Sequence, residues 1–180
     1  MQAYRASLLH FLDDPDQVGE EQSYEYFEDG LLLVAEGKIV AAGAAAELLP
    51  QLDADVTVQI YDKGLLVPGF VDTHVHYPQT EMVAAYGEQL LEWLETYTYP
   101  TEKKFGDFAY AENIAEQFLD QLMRCGTTTA LVFGTVHPES VEAFFTVSER
   151  RNLRMIAGKV LMDRHAPNEL LDSAERGYTQ

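Results

Sequence analysis

The segment that most constrains this chain is Pro68-Gly-Phe-Val-Asp-Thr-His-Val-His-Tyr-Pro78. Prolines bracket a run that is mostly apolar and β-branched, and the spacing predicts a short strand over Phe70–His76. Side chains alternate along a strand, so Asp72, His74 and His76 share one face. Two imidazoles two residues apart on that face can grip one cation, and His suits zinc among several divalent metals. The bland alternative is a pair of polar residues at a strand end, one in water and one bonded to a backbone carbonyl. The surroundings favour the metal: a turn, a short apolar strand, an acid on the same face and then a polar loop. If this strand opens a parallel α/β barrel, its C-terminal end is where such folds keep their chemistry.

Before Pro68 the pattern is of short strands and tight turns. Ala3–Phe11 reads as a strand ending in Asp13-Asp14-Pro15-Asp16. Gln17–Asp29 is polar and acidic with Tyr24, Tyr26 and Phe27 interleaved, and reads as loop. Leu31–Ala35 and Lys38–Ala42 flank Glu36-Gly37 as a hairpin. Ala44–Leu49 suggests a helical turn or two, and Val56–Tyr61 alternates as another strand.

After Pro68 the rhythm becomes strand, helix, strand, helix, strand, helix, as in right-handed βαβ units. Tyr77–Phe105 is a long connection carrying Gln79, Glu81, Tyr86, Glu88 and Leu90-Leu-Glu-Trp-Leu94. Asp107 can cap a helix running to about Arg124, with Gly126 as its stop. Thr127–Phe133 reads as a buried strand, Pro138–Arg151 as a helix, Arg154–Val160 as a third strand and Asn168–Gln180 as the start of a third helix. A closed barrel needs eight units and about 250 residues. With Met1 taken as a genuine start, the expectation is an N-terminal part of a larger enzyme.

Composition narrows the partners. Lys and Arg total 12 against 30 Asp and Glu, a formal net charge of -18. Such a surface repels phosphate backbones and anionic lipid, so neither nucleic acid nor a membrane is expected as partner. Cys125 is the only cysteine, which rules out an intrachain disulfide and suits a reducing compartment. No basic-then-apolar leader pattern opens the chain, so a cytoplasmic protein is expected.

Pro68–His76 resembles the segment with which metal-dependent amidohydrolases open their barrel. Gly30-Leu-Leu-Leu-Val-Ala-Glu-Gly-Lys-Ile-Val-Ala-Ala-Gly43 is similar to the hairpin of that superfamily's small β domain. His76-Tyr-Pro-Gln79, Tyr86-Gly-Glu-Gln-Leu-Leu-Glu-Trp-Leu94, Tyr99-Pro-Thr-Glu102 and Gly126-Thr-Thr-Thr-Ala-Leu-Val-Phe-Gly-Thr-Val-His137 together resemble the guanine deaminase family within it.

The resemblance implies an α/β fold: an incomplete TIM-like (β/α) barrel, about its first three units over residues 68–180, preceded by part of a small β-sandwich domain over residues 1–67. It implies zinc-dependent hydrolysis of guanine to xanthine and ammonia, with one Zn2+ per complete site. His74 and His76 would be metal ligands; Gln79, Leu90 and Trp93 would contact substrate. For Leu90 and Trp93 an amphipathic helix packed on the barrel mouth is an equal alternative. The remaining ligands, the general acid/base and an Arg-Phe pair that contacts guanine have no counterpart here, so no catalytic residue is expected in this chain and the span alone is expected to be inactive. Asp72 reads as orienting the metal site or pairing with a neighbour and not as a ligand, His137 reads as a helix-start or loop residue, Asp163 and His165 stay ambiguous, and His10 reads as structural. The competing readings are another amidohydrolase, such as a chlorohydrolase or other heterocycle deaminase, and an inactive fragment that only associates with other chains. A homodimer or other homo-oligomer is expected, since the strand around Ile156 would leave an unpaired edge.

Overall fold

A computed structural model describes residues 1–87 and 89–180, so Glu88 of the Tyr86–Leu94 motif lies outside the described residues. The fold is mixed α/β and divides into two compact units, Met1–Pro68 and Gly69–Gln180.

The first unit is a four-stranded sheet of β1 (Gln2–Phe11), β2 (Tyr24–Ala35), β3 (Lys38–Ala44) and β4 (Val58–Leu66), in the order β3-β2-β1-β4. β1 runs parallel to β4, and the other pairs are antiparallel. The β2–β3 turn has both central residues in the left-handed region, Glu36 at φ 50° and Gly37 at φ 75°, as a two-residue turn matched to strand twist requires. Ala3, Leu31, Leu33 and Ala45 form its buried centre.

One expectation fails here. Tyr24–Asp29 is strand, not loop: Phe11 pairs with Tyr24, Leu9 with Tyr26 and Leu8 with Phe27. The stretch is almost wholly exposed, so its strand character comes from pairing with β1 and not from any buried face. Arg5 on β1 fixes the same region, its Nε donating to Asp29 Oδ1 at 2.7 Å.

The second unit holds a parallel sheet of β5 (Phe70–His76), β6 (Thr127–Phe133) and β7 (Arg154–Gly158), in that order. The crossovers are α1 (Phe108–Arg124) and α2 (Pro138–Arg150). Asp107 caps α1, its carboxylate accepting from the backbone N–H of Ala109 at 2.9 Å and Tyr110 at 3.2 Å. Such a cap is worth about 1 kcal/mol. Ala111, Ile114, Ala115, Phe118, Leu119 and Leu122 line the buried face of α1 at helical spacing. They pack with Ala143, Phe144 and Val147 of α2 and with Ala130 and Val132 of β6.

Two features set where β5 begins and ends. A Cβ at Gly69 would fall 2.1 Å from Thr128 Oγ1, so only glycine lets the chain enter this close to β6. Tyr77, 1% exposed, follows directly after His76, and its hydroxyl donates to the Ser140 carbonyl at the start of α2. Burial pushes the phenol up from its ordinary pKa and keeps it a donor.

The chain after β7 also departs from expectation. β7 ends at Gly158 and does not reach Val160, and the helix expected from Asn168 is one 3-10 turn, Asn168–Leu170, followed by a separate helix, Ala174–Thr179. Asp172 and Ser173 break it. Ser173 caps the second piece through the N–H of Arg176 at 3.1 Å, while the Asp172 carboxylate, 2% exposed, receives Lys159 and Arg176. The long connection from Tyr77 is a 3-10 segment to Met82, a loop, and then helical turns from Leu90 to Gly106, including a π-turn at Leu94–Thr98. No helix among the described residues is long and apolar enough to cross a membrane.

Candidate metal centre

β5 delivers His74 and His76 to its C-terminal end with their Nε2 atoms 3.4 Å apart. Phe133, the last residue of β6, lies against both rings, at centroid distances of 4.8 Å to His74 and 4.6 Å to His76. The β5–β6 register pairs His76 with Phe133, which explains the near-parallel stack of 11°. Nothing in the local sequence singles out Phe133; its only signal is its place as the end residue of the second strand. Asp72 accepts the backbone N–H of His74 at 3.0 Å, so its carboxylate serves the strand that carries it.

The pair suits a shared cation. Two nitrogens bound to one tetrahedral zinc at about 2.0–2.1 Å lie about 3.3–3.4 Å from each other. An N–H···N bond between neutral rings would fit the same gap if the tautomers differ. Burial, and then the neighbouring His74, hold the His76 imidazole below the usual histidine range. That favours the neutral form, the one that binds metal. Among the described residues no group of three or more His, Cys, Asp or Glu converges on one point. Catalytic zinc usually takes three protein ligands, so the two imidazoles fit as part of a set.

Beside them opens a cleft of about 480 Å³, lined by His74, His76, Gln79, Met82, Val83 and Trp93 among others. Gln79 sits in the 3-10 segment just past β5, and Gln121 reaches the same cleft from α1. Gln121 was not singled out from sequence, because it lies on a helix face with no motif around it. Leu90 is 69% exposed and does not line the cleft, so of the residues named for substrate contact the fold gathers Gln79 and Trp93.

The other residues weighed from sequence lie elsewhere. His137 is the N-cap residue of α2, with Nε2 buried and unpartnered among the described residues. Asp163 and Arg164 form an exposed pair at 3.8 Å. His165 takes φ 57° in the loop after β7, and its carbonyl accepts from the Tyr99 hydroxyl at 3.5 Å. His10 bonds Glu25 across β1 and β2 at 3.0 Å. Glu102, which closes the Tyr99-Pro-Thr-Glu102 motif, is 7% exposed, and burial pushes its carboxyl up to about 7.

The chain is 50% identical over 183 residues to the guanine deaminase of Escherichia coli strain K12, covering 100% of this chain and 41% of that protein. The solved structure of E. coli guanine deaminase matches with a TM-score of 0.85 at 49% identity, over 99% of this chain and 42% of that one. Guanine deaminase from Bradyrhizobium japonicum matches with a TM-score of 0.82 at 39% identity, over 97% of this chain and 38% of that one. The chain therefore spans less than half the length of the curated relatives it matches. The amidohydrolase family model matches residues 65–179. With that match over more than half its length, the chain belongs to the amidohydrolase family.

Proposed function

We propose that this chain is the N-terminal portion of a guanine deaminase, an enzyme that hydrolyses guanine to xanthine and ammonia. The identity to guanine deaminases along the whole chain supports this reading. The observation that carries it is the facing pair His74 and His76 at the end of β5, in one cleft with Gln79. The parallel order β5-β6-β7 with α1 and α2 as crossovers supports the reading of residues 68–180 as the opening units of a (β/α) barrel. The sheet of the first unit supports the reading of residues 1–67 as part of a small β-sandwich domain.

His74 and His76 would hold one zinc ion together with ligands from outside this chain. When bound, zinc supplies Lewis acidity that makes water a nucleophile near neutral pH. The residues of this chain do the rest of their work by binding and shaping. Gln79 offers both a donor and an acceptor to the edge of a purine, and its place beside the imidazoles brings that edge to the reacting end of the cleft. Met82, Val83 and Trp93 give the cleft apolar walls suited to a flat heterocycle. Phe133 packs the imidazoles from the β6 side and limits their rotation.

The test is to load the full-length protein with zinc and follow xanthine formation from guanine, then repeat with His74→Ala and His76→Ala. Turnover in the wild type and its loss together with zinc in both variants is the expected result. Zinc retained at wild-type occupancy in both variants would sink the ligand assignment.

A further inference from the structure

One wall of the cleft is the loop Val83–Gly87, of which Val83 and Ala84 face the cavity. Ala84 holds φ 64°, a left-handed conformation that residues with a Cβ adopt only when their surroundings impose it. Within the loop itself the Ala85 N–H bonds the Met82 carbonyl at 3.0 Å. A second hold comes from outside, from Trp93. Its indole Nε1–H donates to the Ala85 carbonyl at 3.1 Å. The root of its side chain lies so close to Gly87 that a Cβ there would fall 2.7 Å from Trp93 Cδ1 and 2.8 Å from Trp93 Cβ.

From this geometry we infer that Trp93 is a positioning residue: bonded to Ala85 and packed on Gly87, it latches the Val83–Gly87 loop in place as a wall of the substrate cleft. The inference rests on the deaminase reading for the identity of the substrate. It differs from simple wall contact in a way that chemistry can separate. A wall depends on the bulk of the ring, which phenylalanine largely keeps. A latch depends on the indole N–H and on the absence of a side chain at Gly87, a residue that does not line the cleft.

Trp93→Phe removes the N–H and keeps an aromatic ring, and Gly87→Ala pushes the indole away. Both are made in the full-length protein, singly and together, and guanine KM, kcat and zinc content are measured. Each single variant should raise KM about tenfold while kcat and zinc stay within about twofold. The double variant should be no worse than either single one, because both release the same loop. Trp93 is the only tryptophan in the chain. Acrylamide quenching of full-length wild type and of Gly87→Ala, each read as the difference from its Trp93→Phe counterpart, isolates the Trp93 signal and reads the latch directly, and Gly87→Ala should be quenched more. An unchanged KM in either single variant, additive losses in the double, zinc lost from Trp93→Phe, or wild-type quenching in Gly87→Ala would each overturn the latch. If the wild type turns over no guanine, the deaminase reading falls by itself. The latch is then decided by quenching, raised in Gly87→Ala if it holds and unchanged if it does not.

Discussion

His74 and His76 bring their Nε2 atoms to 3.4 Å from each other from successive same-face positions of β5, with Phe133 packed against both rings. The strand backbone sets this spacing, and Asp72 reinforces it by taking the N–H of His74. Each ring is therefore needed separately, since neither can swing to replace the other. In the full-length protein His74→Ala and His76→Ala are expected to cut bound zinc to below about a tenth and turnover by at least about 100-fold. Metal analysis alongside xanthine formation checks both; loss of turnover with full zinc would place the residues in another role.

Gln79 lines the same cleft from beyond the strand, and an amide is a poor zinc ligand. Gln79→Ala is accordingly expected to leave zinc in place and lower kcat/KM for guanine by about 10- to 100-fold, the scale of one or two lost hydrogen bonds. Unchanged kinetics would remove Gln79 from the substrate contacts, and lost metal would move it to the ligand set.

Residues 1–180 by themselves are expected to show no measurable guanine turnover, even saturated with zinc at neutral pH. Among the described residues two imidazoles fall short of the usual three protein ligands, and the general acid/base, worth about 10²–10⁴-fold, is expected from outside this span. Zinc that does bind should weaken as pH falls and protons compete for the ligands, and His76, which burial holds below the usual histidine range, resists that competition. Xanthine production near the rate of the full-length enzyme would refute this.

Glu102 couples stability to pH. Its folded-state pKa of about 7 stands above the ordinary 4.5, so the folded protein keeps a proton that the unfolded chain releases between those values. The stability it permits is fully present below pH 4.5 and drains away as pH rises through about 7. Glu102→Gln should remove that dependence and be more stable than wild type at pH 8 by up to about 2–3 kcal/mol, from the size of the shift. Urea unfolding of both proteins at pH 5 and pH 8 tests it; equal pH slopes would show that the carboxyl is solvated after all.

Much of this architecture was legible in the residues. β5 and β6 span the residues that the Pro68/Pro78 brackets and the Thr127–Phe133 run indicate, and α1 starts at the Asp107 cap. Those signals are local: a proline stops a strand, an aspartate bonds the N–H groups two and three residues ahead, and a two-residue period puts both imidazoles on one face. What tertiary structure alone decided depends on residues distant in sequence. Tyr24–Asp29 is strand because Leu8–Phe11 pairs with it. Asp172 is buried between the two helical pieces because Lys159, from the segment just after β7, bonds its carboxylate. Phe133 meets the imidazoles through the β5–β6 register, and Trp93 enters the cleft through its bond to Ala85, whereas Leu90, three residues earlier, stays in solvent. The periodicity of one segment tells which side chains share a face. Only the packed fold tells what that face meets.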